Sequence, residues 1–154
     1  MRALVQKVSK ASVSINGETI GAIGLGLVVL IGVSKTDDEA DARYLVEKVS
    51  NLRIFADDTN HFNLSSLDIK ADLMVVSQFT LYGDTRKGRR PDFNRAASSD
   101  DARRLYDCTV SMFQETGLTV ATGRFQEHMV ISLQNDGPVT LMLDSSDRQK
   151  PRRG

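Results

Sequence analysis

Two runs of this chain carry apolar residues on both side-chain parities. LGLVVLIGV, Leu25 to Val33, is nearly all apolar, and DLMVVSQFTL, Asp72 to Leu81, is apolar until it runs into polar residues. A strand with one solvated face alternates, so such runs predict central, buried strands. The start, MRALVQKVSKASVSI, does alternate, which predicts a long strand from Arg2 to Ile15. Asn16-Gly17 is a two-residue hairpin signal leading into Glu18 to Ile23. Thr36 with Glu39 makes a capping box, with Asp37 and Asp38 in the first turn, and Ala42, Leu45, Val46 and Val49 follow at helical spacing. A second helix is expected from Ser98 to Thr116, with Asp100 and Asp101 near its start. Ala102, Leu105, Tyr106, Val110 and Phe113 form its stripe, and Gly117 is its stop. Closing strands fall around Leu118 to Thr122 and Met129 to Asp144. A chain of 154 residues fits one domain. The expected fold class is α+β: a single domain, mixed and largely antiparallel sheets, two main helices. The domain spans residues 1–144, and SSDRQKPRRG, residues 145–154, is expected to be a flexible polar and basic tail without an apolar partner.

The last strand is broken in its middle. Met129, Ile131 and Leu133 precede the break and Val139, Leu141 and Leu143 follow it, all of one parity, while NDGPVT, Asn135 to Thr140, lies between. Glycine weakens a strand and proline removes a ladder donor, so Gly137-Pro138 needs a justification other than the sheet. A trans bond in an exposed turn is the ordinary form. A cis bond would instead kink the chain and aim adjacent carbonyl oxygens at one point.

Lys plus Arg and Asp plus Glu each number 20, so net charge decides nothing about a nucleic-acid or membrane partner. One cysteine, Cys108, excludes an intramolecular disulfide and a Cys-rich metal cluster and fits a reducing cytosol. No run approaches the roughly 20 apolar residues of a membrane span, and a cytoplasmic protein is expected. His61 and His128 lie far apart and in no ligand spacing, so no metal is expected. GAIGLG enters a strand rather than opening a helix, which removes a phosphate-cradling reading.

Two segments carry candidate chemistry. In SQFTL, Ser77 to Leu81, polar residues appear where an apolar strand ends, and Gln78 and Thr80 share a parity, so both are expected to face one pocket. The plain alternative is a strand end with satisfied hydroxyls. RKGRRPDFNR, Arg86 to Arg95, sets five basic residues against one acid directly after that strand. Most such runs are solvated loops, but locally concentrated charge suits phosphates.

SQFTL and NDGPVT, with VQKVSKASVSI, NLRIF, KGRRPDF and GRFQEHM, resemble the D-aminoacyl-tRNA deacylases, also called D-tyrosyl-tRNA deacylases, over essentially Met1 to Asp144. The resemblance implies a homodimer, without cofactor, that hydrolyses the ester joining a D-amino acid or glycine to the terminal adenosine of tRNA. It implies that Gly137-Pro138 is cis and that this loop reaches into the partner subunit's pocket beside SQFTL. There paired main-chain carbonyls would exclude an L side chain. Ser77, Gln78, Phe79 and Thr80 then take the catalytic positions, with the Phe79 amide as oxyanion donor. Gly137, Pro138, Lys7, Phe125, Met129 and Asn135 take substrate-binding ones. Lys87, Arg89 and Arg90 are expected to touch tRNA. The family usually has arginine where this chain has Lys7, and lysine lacks the planar fork. A pure RNA-binding module, or an inactive structural dimer, would not need both SQFTL and the Gly-Pro pair.

Overall fold

Within the computed structural model, residues 1–151 are described. β1 (Arg2–Ile15), β2 (Glu18–Ile23) and β3 (Gly26–Gly32) are followed by α1 (Glu39–Asn51). A small hairpin of β4 (Phe55–Ala56) and β5 (Phe62–Leu64), then α2 (Ser66–Ile69), lead into β6 (Asp72–Ser77). After a 3-10 turn at Phe79–Tyr82 come α3 (Ser99–Glu115), β7 (Val120–Thr122), β8 (Val130–Asp144) and a second 3-10 turn at Ser145–Gln149. The six-stranded sheet runs β2-β1-β3-β6-β7, with β8 also paired to β1. β1 is antiparallel to β2, β3 and β8, whereas β3–β6 and β6–β7 are parallel. Each parallel pair needs a crossover over the sheet, and α1 and α3 supply them. Asn16 and Gly17 both take positive φ, the conformation that a two-residue hairpin of this kind requires.

The two apolar runs are explained by cores on both faces of the sheet. Leu27, Val29, Ile31, Leu73 and Val75 pack with α1 and α3 through Leu45, Val49, Leu105 and Phe113. Val28, Met74 and Val76 join Val8, Val13 and Ile23 on the other side. Each such side chain contributes on the order of 1.5–3 kcal/mol by leaving water. β1 passes from one core to the other: Ala3 and Val5 belong to the first, Val8 and Val13 to the second. The change of side falls between Val8 and Ala11, at the exposed pair Ser9 and Lys10, where its register against β8 also shifts.

Several boundaries differ from those the sequence predicts. The cap of α1 is Asp38 with Asp41, not Thr36 with Glu39. The Asp38 carboxylate accepts from the Ala40 and Asp41 amides, and Asp41 accepts from the Asp38 amide at 2.9 Å. β6 stops at Ser77, and the residues after Gln78 turn rather than extend. β8 runs through Gly137-Pro138, as the expected strand from Met129 to Asp144 does, with its ladder to β1 interrupted there. Ser145–Gln149, expected to be part of a flexible tail without an apolar partner, is docked through polar contacts: the Met1 ammonium donates to the buried Ser145 hydroxyl at 2.6 Å, and Arg148 pairs with Asp41 at 3.3 Å and with Asp38 at 3.9 Å. Burial pushes the Asp41 carboxyl up, but hydrogen bonds from Asp38 and Ser145 and the nearby positive charges leave it below its ordinary range. The rest of the expected tail includes residues 152–154, which lie outside the described residues.

Candidate functional site

A cavity of about 610 Å³ opens where β6 ends. Ser77, Gln78 and Phe79 form one side of it, Phe125 and Met129 another, and Ser99 and Ala102 of α3 close the rest. The Gln78 amide donates to the Ile31 carbonyl at 2.8 Å, which ties the turn to β3. Phe79 then opens the 3-10 turn, and N–H groups that open a helical turn have no acceptor within it. Its ring is 54% exposed and meets Phe93 edge to face, with centroids 4.9 Å apart. The opposite wall is held by Gln126, whose φ of +64° turns the β7–β8 loop and whose side-chain amide donates to the Ser99 hydroxyl at 2.7 Å.

Five of the expected site residues therefore meet at one cavity: Ser77, Gln78, Phe79, Phe125 and Met129. Thr80 is not among its lining residues. Gln78 and Thr80 do not share a strand face, because the chain turns between them. The Gln78 side-chain amide instead donates to the Thr80 hydroxyl. Ser99 and Gln126 were not singled out by the sequence. They are 27 positions apart, and a positive φ at glutamine leaves no compositional mark.

Lys7, Asn135, Gly137 and Pro138 form a second cluster, which does not line that cavity. Gln6 pairs with Thr140 and Val8 with Asn135, so Lys7 alone stands opposite the four residues Asp136 to Val139. These four bulge out, with Gly137 and Pro138 exposed and the bond between them cis. Asn135 closes the bulge from inside. Its side-chain oxygen accepts from the Val139 amide at 3.1 Å, and its side-chain nitrogen donates to the Thr140 hydroxyl at 2.8 Å. Lys7 is only 9% exposed; its ammonium lies 3.4 Å from the Asp136 carboxylate and over the rings of Phe55 and Phe62, 5.6 and 5.7 Å from their centroids. Lysine thus holds the bulge as a point charge seated on aromatic faces.

The basic loop leaves the turn through Tyr82. Asp84 and Asp92 pair their backbones across its base. Arg86 is spent internally, since its hydrogen bonds to Asp84 hold that carboxyl down at about 2. Among the described residues Lys87, Arg89 and Arg90 have no ion pair, and all three are exposed.

An apolar-and-polar cavity at a strand end, beside a turn whose first main-chain N–H has no acceptor among the described residues, is the architecture of an enzyme site on an α+β sheet. Comparison with known proteins gives the family. The D-Tyr-tRNA(Tyr) deacylase family model matches residues 4–144. A D-aminoacyl-tRNA deacylase of Heliobacterium modesticaldum is 56% identical over 94% of this chain and 96% of its own length. One from Dehalococcoides mccartyi is 53% identical over 99% and 100%. A solved structure titled c-Myc DNA Unwinding Element Binding Protein superposes with a TM-score of 0.88 at 38% identity, covering 94% of this chain and 98% of that one. The chain belongs to the D-Tyr-tRNA(Tyr) deacylase family.

Proposed function

We propose that this enzyme, a D-aminoacyl-tRNA deacylase, hydrolyses the ester of D-aminoacyl-tRNA, and of glycyl-tRNA, at the Ser77–Phe79 cavity, working as a homodimer. The observation that carries the reading is the meeting of Ser77, Gln78 and Phe79 with Phe125 and Met129 around one cavity of nucleoside size. Water attacks the ester carbonyl, the Phe79 N–H receives the developing oxyanion, and the ribose oxygen leaves. Loss of one such donor typically costs about 2.7–4 kcal/mol of transition-state stabilisation.

The Gly137-Pro138 bulge supplies the chiral wall, from the partner subunit. It does not line the cavity of its own chain, and it lies on β8, whose only strand partner among the described residues is β1. Val130, Leu141 and Met142, on either side of the bulge, are 55%, 37% and 51% exposed, apolar side chains that a second copy would cover. Main-chain carbonyls in that wall reject an L side chain whatever its identity, and glycine, having none, passes. Single-turnover deacylation of D-tyrosyl-, glycyl- and L-tyrosyl-tRNA tests this. The first two are expected to be cleaved and the third spared, by a protein that sediments as a dimer. Rapid L-tyrosyl-tRNA cleavage, or full activity in an isolated monomer, would remove the shared-pocket reading.

The loop carrying Lys87, Arg89 and Arg90 holds tRNA phosphates. Replacing all three by Ala is expected to weaken tRNA binding and to flatten its salt dependence by about 0.7–0.9 per lost phosphate contact. A D-tyrosyl ester of adenosine alone should be cleaved at nearly the original rate. Equal losses on both substrates would show that the loop acts on the cavity and not on the RNA.

A further inference from the structure

A second cavity, about 410 Å³, lies behind the Phe125 wall of the first, and Phe125 and Glu127 line both. A strand of nucleic acid leaving one need cross only that wall to enter the other. α3 contributes Arg103, Tyr106 and Asp107 to it, and the β7–β8 loop contributes Arg124. We propose that this cleft holds the nucleotide preceding the terminal adenosine, with its phosphate on Arg103 and Arg124 and the amino group of its cytosine on Asp107. The proposal rests on the tRNA reading above and says where the 3′ end runs next.

Three features favour it over a simple surface ion-pair network. The Arg103 guanidinium carbon lies over the Phe125 ring, 4.6 Å from its centroid, and no ion pair engages it among the described residues. A stacked guanidinium keeps its edge donors free for a phosphate and offers a face to a base. Arg124 meets only Glu127, at 3.8 Å, with both side chains about half exposed, a pairing that contributes little and yields readily. Asp107 has no ion pair among the described residues either, although a carboxylate beside two arginines would satisfy them if charge balance were the purpose. Carboxylates accept from the exocyclic amine of cytosine, and uracil offers no such donor. A cleft that combines a cation without an ion pair among the described residues, a second cation held only by a weak exposed pair to Glu127, an aromatic platform and an acceptor suits a cytidine phosphate better than it suits a bare anion.

The test uses D-tyrosyl esters of adenosine, of the dinucleotide CpA and of UpA, with the intact dimer. The unmodified enzyme is expected to cleave the CpA ester with a kcat/KM about tenfold above the adenosine ester, within the range of one good polar nucleotide contact. Arg103→Ala and Arg124→Ala should each remove most of that advantage while cleaving the adenosine ester as before. Arg103→Lys should restore it only in part, because charge returns without the stacking plane. Asp107→Asn should narrow the preference for CpA over UpA. Equal losses on adenosine and dinucleotide esters would assign these residues a structural role and overturn the proposal. So would an unmodified enzyme that cleaves the adenosine ester but gains nothing from the added nucleotide. An enzyme that cleaves no D-tyrosyl ester at all, tRNA included, would instead bring down the deacylase reading, and this one with it.

Discussion

Gly137→Val is expected to lower single-turnover deacylation of D-tyrosyl-tRNA by about 10²-fold, the loss that a displacement of order 1 Å near a reacting centre can cause. Gly137 has a φ of +128°, which side-chain-bearing residues rarely adopt. A Cβ there would stand 2.7 Å from the Val139 Cγ2 and 3.1 Å from the Val139 amide nitrogen. Val139 must therefore move, and its amide is the donor that Asn135 accepts inside the bulge. The wall shifts where it has least room to do so. The ratio of D- to L-tyrosyl-tRNA cleavage should fall with the rate, since in the function proposed above the same carbonyls would exclude the L side chain. Stability should suffer less, because Gly137 is exposed and backbone strain of this kind costs on the order of 1–3 kcal/mol.

Gly17→Ala is the matching control. Gly17 also has positive φ, at +81°, but nothing lies within 4 Å of an added Cβ, and the hairpin it closes belongs to neither residue cluster. It should lose stability and keep its activity per folded molecule. Similar activity losses in the two variants would mean that strain alone, rather than the position of the bulge, accounts for the effect. An unchanged D/L ratio in Gly137→Val would remove the bulge from chiral selection.

What the sequence disclosed follows from which physical signals are local. β1, β3, β6 and α3 were legible because burial imposes a period on their residues, and the double parity of Leu27 to Ile31 reported a sheet covered on both faces. Caps were less legible. TDDEAD offers two overlapping boxes, and the one at Asp38 and Asp41 forms because Asp41 also meets Ser145 and Arg148, 104 and 107 positions away. SQFTL was legible as the polar end of a buried strand, which lies at a cavity, and misread as a continuing strand. The parity argument assumed that β6 continues past Ser77, whereas the chain closes into a turn as soon as its apolar run ends. The Gly-Pro pair announced a break in the ladder. That four residues of β8 face one of β1 is a matter of register between distant segments, which neither segment encodes alone. Lys7 read as a weakened arginine, and only the structure supplies the two phenyl rings that seat it.

Substrate assistance makes the sharpest mechanistic prediction: removing one hydroxyl from the RNA should cost far more than removing one from the protein. A threonine nucleophile needs a base within hydrogen-bond reach. The Thr80 hydroxyl is hydrogen-bonded by the Gln78 side-chain amide, which can only donate to it, and among the described residues no histidine or carboxylate bonds to it. Its place in the 3-10 turn, outside the cavity lining, also removes it from a line of attack on a bound ester. On the function proposed above, Thr80 would orient Gln78 through this bond, and the hydroxyl neighbouring the ester on the terminal ribose would guide the attacking water. Thr80→Ala should keep single-turnover deacylation within about tenfold, the scale of one lost neutral hydrogen bond. Replacing the ribose 2′-hydroxyl by hydrogen should slow the unmodified enzyme by about 10²–10⁴-fold, the range over which a positioned proton-transfer group acts. The two losses should differ in their concentration dependence as well: the deoxy substrate should bind almost as tightly as its parent and fail in the chemical step. An acyl-Thr80 adduct recovered after quenching would reverse the assignment. So would Thr80→Ala with binding intact and chemistry abolished, because a group that merely orients Gln78 cannot be indispensable to bond cleavage.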